Sequence, residues 1–255
     1  MARKYLKAGA LTAPLPPVLV TVGEGERANI ITIGWTGILS TIPPRTYISV
    51  RPERHSHGLL LERGEFVIHL TTTDMARQVD YCGIYTGAKV DKFSVCGFTR
   101  TESKEVGVPT IAECPLALEC RVVEVVSMGT HDVFVADIVS VSCDEKMLDS
   151  EGKLRYDSVG LLAYAHGEYF ALGERVGKFG FSTDKKKGAT QGGKRSAQSG
   201  SANKASADKR TAEKPSGKSS PATDKGRSAD GAGNKEGAYR PFYLDAPRGK
   251  GRKKK

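Results

Sequence analysis

Cysteine is scarce in this 255-residue chain, and no two of its five cysteines are spaced C-x-x-C. An odd, unpaired set offers no disulfide framework and no zinc knuckle. Cys82, Cys96, Cys114, Cys120 and Cys143 therefore read as reduced, mostly buried thiols of a cytoplasmic protein. No apolar run approaches the roughly 18 residues of a membrane-spanning helix. Near the N-terminus, Pro14, Pro16 and Pro17 interrupt the stretch that a secretory signal would need. There is one tryptophan, Trp35, and no G-x-S-x-G nucleophile turn. Gly23-Glu24-Gly25 lacks the third glycine and the helix of a dinucleotide fingerprint, and His55-x-His57 is half a metal site with no third ligand nearby, so no metal is expected.

Excess charge is also missing from most of the chain. Residues 1–182 hold 19 basic against 22 acidic residues, a formal −3, and the remaining 20 and 7 give the end of the chain +13. The overall +10 is thus a property of the tail, and reading the whole protein as a polyanion binder averages two unlike parts. From 183 to 237 the chain is dense in Lys, Ser, Gly and Ala, a composition expected to stay disordered because it cannot offset chain entropy by burial. Residues 238–255 hold a short aromatic island, Tyr239 to Leu244, expected to dock, and then a basic end. The tail suits an acidic partner or a polyanion.

What is present in residues 1–182 is strand pattern. "PVLVTVGEGERANIITIGW" reads as two strands around a glycine turn, with the second running through Trp35, and "TYISV" reads as a third. "SHGLLLERG" predicts a short helix closed by Gly64. "EFVIHL" alternates as a strand with Phe66, Ile68 and Leu70 on one face. A helix is expected in "TTTDMARQVDYCGIYTG" and a helical turn in "VDKFSVCG". Alternation resumes at Leu116, a hairpin is marked by Gly129, and "DVFVADIVSVSC" is apolar on both faces. "LLAYAHGEYFALG" supplies a last strand. Mostly antiparallel strands with short helices argue for a closed β-barrel.

The strand from Asn29 mixes hydroxyls with small residues beside the single tryptophan, and "SVRPERHS" follows with guanidinium donors, a hydroxyl and turn N–H groups. The first pattern suits a flat heteroaromatic ligand and the second a phosphate. A core tryptophan followed by a solvated turn is the competing reading on composition alone.

The ordered motifs "NIITIGWTGI…PPRTYISVRPERHS", "GEFVIHL", "DYCG…VDKF", "GTHDVFVADI" and "Y…YFALG…GKFGFS" resemble the flavin reductase family, in particular its flavoredoxin-like FMN-binding split barrels. The resemblance implies a mainly β fold: a six-stranded antiparallel Greek-key split barrel with short helices over residues 1–182, followed by the disordered basic tail. It implies an FMN-binding oxidoreductase that moves hydride or electrons, with NADH or NADPH as a possible transient donor. It also implies a homodimer working with a small-molecule or protein redox partner. By the same resemblance Asn29, Thr32, Trp35 and Thr36 line the ring system and ribityl chain. Ser49, Val50, Arg51, His55 and Ser56 surround the phosphate, and Cys82, Gly83, Lys92 and Phe93 close the site. Nicotinamide-using relatives carry Gly-Asp-His at the hairpin, with the histidine beside the nicotinamide pocket. Here Thr130 stands in the aspartate's place and Asp132 follows His131, the flavoredoxin pattern. The alternatives are an electron carrier that never meets a nicotinamide and a non-catalytic flavin-binding barrel.

Overall fold

Branched residues on both faces of β1 (Val18–Val22) place it between two layers, and every one of its five residues is buried. The computed structural model describes residues 2–183; the tail from residue 184 on, with the linker and aromatic island expected there, lies outside the described residues. β1 pairs with β2 (Asn29–Ile33), Val20 opposite Ile31. The turn between them needs Gly23 twice over: its φ is +74°, and a Cβ there would lie 2.8 Å from the Arg27 carbonyl oxygen. β3 (Thr36–Thr41) and β4 (Pro44–Val50) form the next hairpin. Then come α1 (His55–Arg63), β5 (Glu65–His69), α2 (Ala76–Ile84) and α3 (Lys92–Cys96). The short strands β6 (Arg100–Thr101) and β7 (Thr110–Ile111) pair with each other. The long hairpin β8 (Leu116–Ser127) and β9 (Asp132–Cys143) follows, and β10 (Leu162–Ala165) with β11 (Glu168–Ala171) ends the fold.

Seven strands make one antiparallel sheet in the order β2-β1-β5-β8-β9-β4-β3. β2 and β3 are its two edges, yet only Gly34 and Trp35 separate them in the chain. At about 4.8 Å per strand a flat sheet would hold these edges about 29 Å apart. The link from Ile33 to Thr36 spans at most about 11 Å. The sheet must therefore curl until its edges meet, and it closes into a barrel whose seam is not hydrogen-bonded. That is a split barrel.

Inside it pack Val20, Ile31, Ile48, Phe66 and Phe134, with Leu59 and Leu60 of α1. Each such side chain contributes about 1.5–3 kcal/mol by leaving water. A second cluster lies between the outer face of β1–β2 and the helices, where Leu19 and Ile30 meet Val79, Cys82 and Phe93. Gly64 caps α1 at φ 65°, as its position predicted. Phe66 and Ile68 face the barrel with Leu70 packed against them, as the alternation of "EFVIHL" required. Among the described residues no helix is long and apolar enough to cross a membrane.

Three expectations are corrected. The strand from Asn29 does not run on as one face-alternating element, because the chain changes edge at Gly34–Trp35; this raises the sheet from six strands to seven. "LLAYAHGEYFALG" is a hairpin, turned at His166 (φ 47°) and Gly167 (φ 95°), and it lies outside the main sheet. It joins the N-terminal segment instead, Leu15 bridging to Tyr164. The outer face of β9 is half-buried, and Val141 is exposed, so a second full layer covers β1 but not β9.

His69 carries a pH dependence. It is fully buried, with Nδ1 donating to the Leu19 carbonyl at 3.2 Å and Nε2 accepting from the Ile111 N–H at 3.0 Å. Burial pulls its pKa from 6.5 down to about 4. The unfolded chain then binds a proton that the fold excludes, so the contribution is fully present above pH 6.5 and is lost as pH falls towards 4. Denaturant titrations should show a His69 contribution of about 3 kcal/mol lost across that window, so that the fall is smaller by about that amount in His69→Gln.

Candidate functional site

The seam where β2 hands over to β3 opens into a cleft of about 340 Å³. Thr32, Gly34 and Trp35 form one wall, and Ser49, Val50 and Arg51 at the end of β4 form another. Gly83 and Ile84 close it from α2, His131 from the β8–β9 hairpin, and Tyr164 and Tyr169 from the last hairpin. A smaller compartment of about 120 Å³ adjoins it, sharing Ile31 and Arg54. Asn29, His55, Ser56, Gly87 and Lys92 line this second space.

The two compartments differ in chemistry. The larger is flat-walled and aromatic: the Trp35 and His131 rings lie 4.5 Å apart at 42°. Burial, and next the Arg51 charge, hold the His131 pKa below the ordinary imidazole value. Its Nδ1 lies 2.9 Å from the Thr130 hydroxyl. Across the cleft the Tyr169 hydroxyl donates to Asp80 at 3.3 Å, and burial with the Asp80 charge pushes its pKa up to about 12.

The smaller compartment holds two cations, Arg54 and Lys92, against one carboxylate, Glu53. His55 and Ser56 open α1, whose first turn has no acidic residue; the His57 N–H donates to the Arg54 carbonyl at 2.9 Å, and those of His55 and Ser56 have no acceptor within the helix. Lys92 is buried, and its ammonium donates to the carbonyls of Ile30 at 2.7 Å and Cys82 at 2.8 Å. Burial lowers its pKa to about 8, which leaves it charged at neutral pH. An ammonium has three N–H donors, so two carbonyls leave one over. Arg54 is fixed by a 2.9 Å bond to the Gly83 carbonyl. Asn29 donates to the Ser56 hydroxyl at 2.8 Å, joining β2 to α1. Behind both compartments His57 and Asp132 meet at 2.8 Å, each under a tenth exposed. This bond ties α1 to the strand that follows His131.

Of the residues expected at the site, Thr32, Trp35, Ser49, Val50, Arg51, Gly83 and His131 line the larger compartment. Asn29, His55, Ser56 and Lys92 line the smaller. The geometry thus separates Ser49, Val50 and Arg51 from His55 and Ser56, which the resemblance had grouped. Three side chains lie elsewhere. Thr36 turns its hydroxyl to the Tyr47 carbonyl at 2.6 Å, because the edge change at Trp35 carries it into the β3–β4 ladder. Cys82 and Phe93 point into the apolar cluster under α2 and α3 and are fully buried. Cys82 still serves through its backbone carbonyl.

Sequence reasoning missed Asp80, Tyr164 and Tyr169. Arg54 was read among the guanidinium donors of "RPERHS" but not assigned as a site residue. The two tyrosines belong to a hairpin about 115 residues from the turn they approach, and no local pattern marks them as cleft residues.

The model of the flavin reductase like domain matches residues 11–173. The chain belongs to this family. An uncharacterized protein of Archaeoglobus fulgidus is 36% identical over 146 residues, covering 57% of this chain and 82% of that protein. The flavoredoxin of Desulfovibrio vulgaris (Miyazaki F) is similar at a TM-score of 0.67 and 30% identity, over 71% of this chain and all of that one. An FMN-binding protein of Thermus thermophilus, solved with 1-cyclohex-2-enone, is similar at 0.60 and 30% identity, over 69% of this chain and 99% of its own. Members of the flavin reductase family thus share this split barrel.

Two glycines near the cleft should respond oppositely to alanine. A Cβ on Gly87 would sit 2.0 Å from Asn29 Oδ1, and the Asn29 amide, whose Nδ2 donates to the Ser56 hydroxyl, cannot withdraw freely. Gly87→Ala should cost about 1–3 kcal/mol by overpacking. Gly58, on the exposed side of α1, has nothing within 4 Å of its virtual Cβ. Gly58→Ala should add about 0.5–1 kcal/mol through helix propensity. Urea denaturation of the two variants measures both.

Proposed function

We propose that the chain is an FMN-binding oxidoreductase, with the flavin ring in the larger compartment and its phosphate in the smaller. The observation that carries this reading is the pairing of a flat aromatic cleft with a cationic pocket through shared Ile31 and Arg54. Apart from Glu53, the lining fits a phosphate dianion. Arg54, the spare Lys92 N–H, the Ser56 hydroxyl and the N–H groups that open α1 all serve that compartment. The flavoredoxin and the FMN-binding protein named above support FMN as the ligand.

Bound FMN would supply the capacity to take up a hydride and to release electrons singly or in pairs. The chain's own residues do the rest. Arg54 and Lys92 would hold the anionic end, and Trp35 and Val50, which line the larger compartment, would cover the ring. His131, whose pKa burial and the Arg51 charge hold below the ordinary imidazole value, would border the ring where a dihydronicotinamide becomes positive as it gives up hydride. NADH or NADPH is then the donor, with His131 in the role assigned to it by the resemblance.

A second reading, an electron carrier served by a protein partner, is favoured by Thr130 in place of the aspartate and by the likeness to flavoredoxin. Self-association fits either reading. Ile38, Leu39 and Ile42 stand 65%, 52% and 93% exposed along edge strand β3 and its turn, an apolar strip that a second copy of the chain would cover.

The purified protein should be yellow and release FMN on denaturation. Arg54→Ala should weaken FMN binding about 10- to 150-fold and riboflavin binding much less, since one charge-assisted hydrogen bond is worth about 1.5–3 kcal/mol. His131→Ala should slow anaerobic flavin reduction by NADH or NADPH with little change in FMN affinity. Colourless protein that takes up no added FMN overturns the assignment, and a bound flavin that neither nicotinamide reduces selects the carrier.

A further inference from the structure

Two thiols beside the cleft have no part in the chemistry above. Cys82, in the last turn of α2, is fully buried, and Cys96, the last residue of α3, is half-buried. Their Sγ atoms lie 3.7 Å apart, in van der Waals contact. A disulfide needs about 2.05 Å, so small side-chain rotations separate the pair from a bond. The chain between them holds Thr86, Gly87 and Lys92 of the cationic compartment, and the Cys82 carbonyl receives the Lys92 ammonium.

We propose that Cys82 and Cys96 are a dithiol oxidation site that hydrogen peroxide closes into a disulfide, locking the α2–α3 wall of the cleft. Cys96 is the point of entry, because Cys82 is closed to solvent. Peroxide converts the Cys96 thiol to a sulfenic acid with release of one water. The Cys82 sulfur then displaces the hydroxyl, which leaves with the second thiol proton as water. Two thiols and one peroxide become one disulfide and two waters, and a small dithiol reverses the change by exchange. Burial holds both thiols above the ordinary cysteine pKa. Attack requires the thiolate, so closure should be slow at neutral pH and accelerate as pH rises. Of the other described cysteines, Cys114 is buried in the same apolar cluster, Cys120 is buried and donates to the Leu118 carbonyl, and Cys143, half-buried like Cys96, stands opposite Leu116 at the end of β9.

Full-length protein treated with hydrogen peroxide and then counted for thiols after denaturation should lose two of its five. Its mass should fall by two hydrogens, and peptide mapping should recover Cys82 linked to Cys96. Dithiothreitol should restore all five, and the oxidised form should melt several degrees higher than the reduced one. Cys96→Ser should form no disulfide, while Cys114→Ser should still form the bridge. This result is independent of the flavin assignment, since colourless protein would show it equally. Five intact thiols at alkaline pH, a Cys82–Cys114 link, or sulfinic acid at Cys96 without a bridge would each overturn the proposal.

Discussion

A two-residue link joins the two edges of the sheet, and the rest of the structure depends on it. Gly34 and Trp35 cannot span a flat seven-stranded sheet, so the strands curl and a seam is left where β2 and β3 meet. Along the seam the ends of β2 and β4 come side by side, and backbone polar groups there find partners outside the main ladder. The Trp35 carbonyl accepts from the Ser49 N–H at 3.0 Å, which extends the β3–β4 pairing to the lip of the cleft. Trp35 itself, caught at the edge change, stays 43% exposed and packs at a tilt against His131 rather than entering the core.

The same polar groups that shape the cleft also fasten the helices to the barrel. A buried ammonium is costly unless hydrogen-bonded. Lys92 meets that demand with carbonyls from β2 and α2, so α3, α2 and the sheet share one anchor. Arg54 does the same between the α1 turn and Gly83, and Thr32 bonds the Val79 carbonyl at 2.5 Å. Asn29 and Ser56, and behind them His57 and Asp132, fix α1 against the strands. Positive charge is thereby held at one end of the cleft by groups the fold already needs.

Much of the frame was legible in local pattern. Alternation in "EFVIHL" and from Leu116 onward placed inward-facing residues correctly, and Gly64 and Gly129 marked an end and a turn because only glycine adopts those backbone conformations readily. The cleft was partly legible: hydroxyls near one tryptophan and the basic turn pointed to the right segments. The fates of Thr36, Cys82 and Phe93 were not, because a motif identifies a segment while side-chain direction follows from the element's orientation in the fold.

The sequence by itself determined the antiparallel β class, the split in charge between residues 1–182 and the tail, the helix-capping glycine and the family. Each of these is written in short-range periodicity, composition or an ordered set of motifs. Only the tertiary structure decided that β2 and β3 lie on opposite edges, that the cleft divides into two joined compartments with Arg54 between them, and that Tyr164, Tyr169 and Asp80 complete the wall. It also decided that Cys82 and Cys96 touch. These facts depend on how far-apart segments pack when the sheet closes, and sheet closure is a geometric condition on all seven strands at once that no single stretch of sequence encodes.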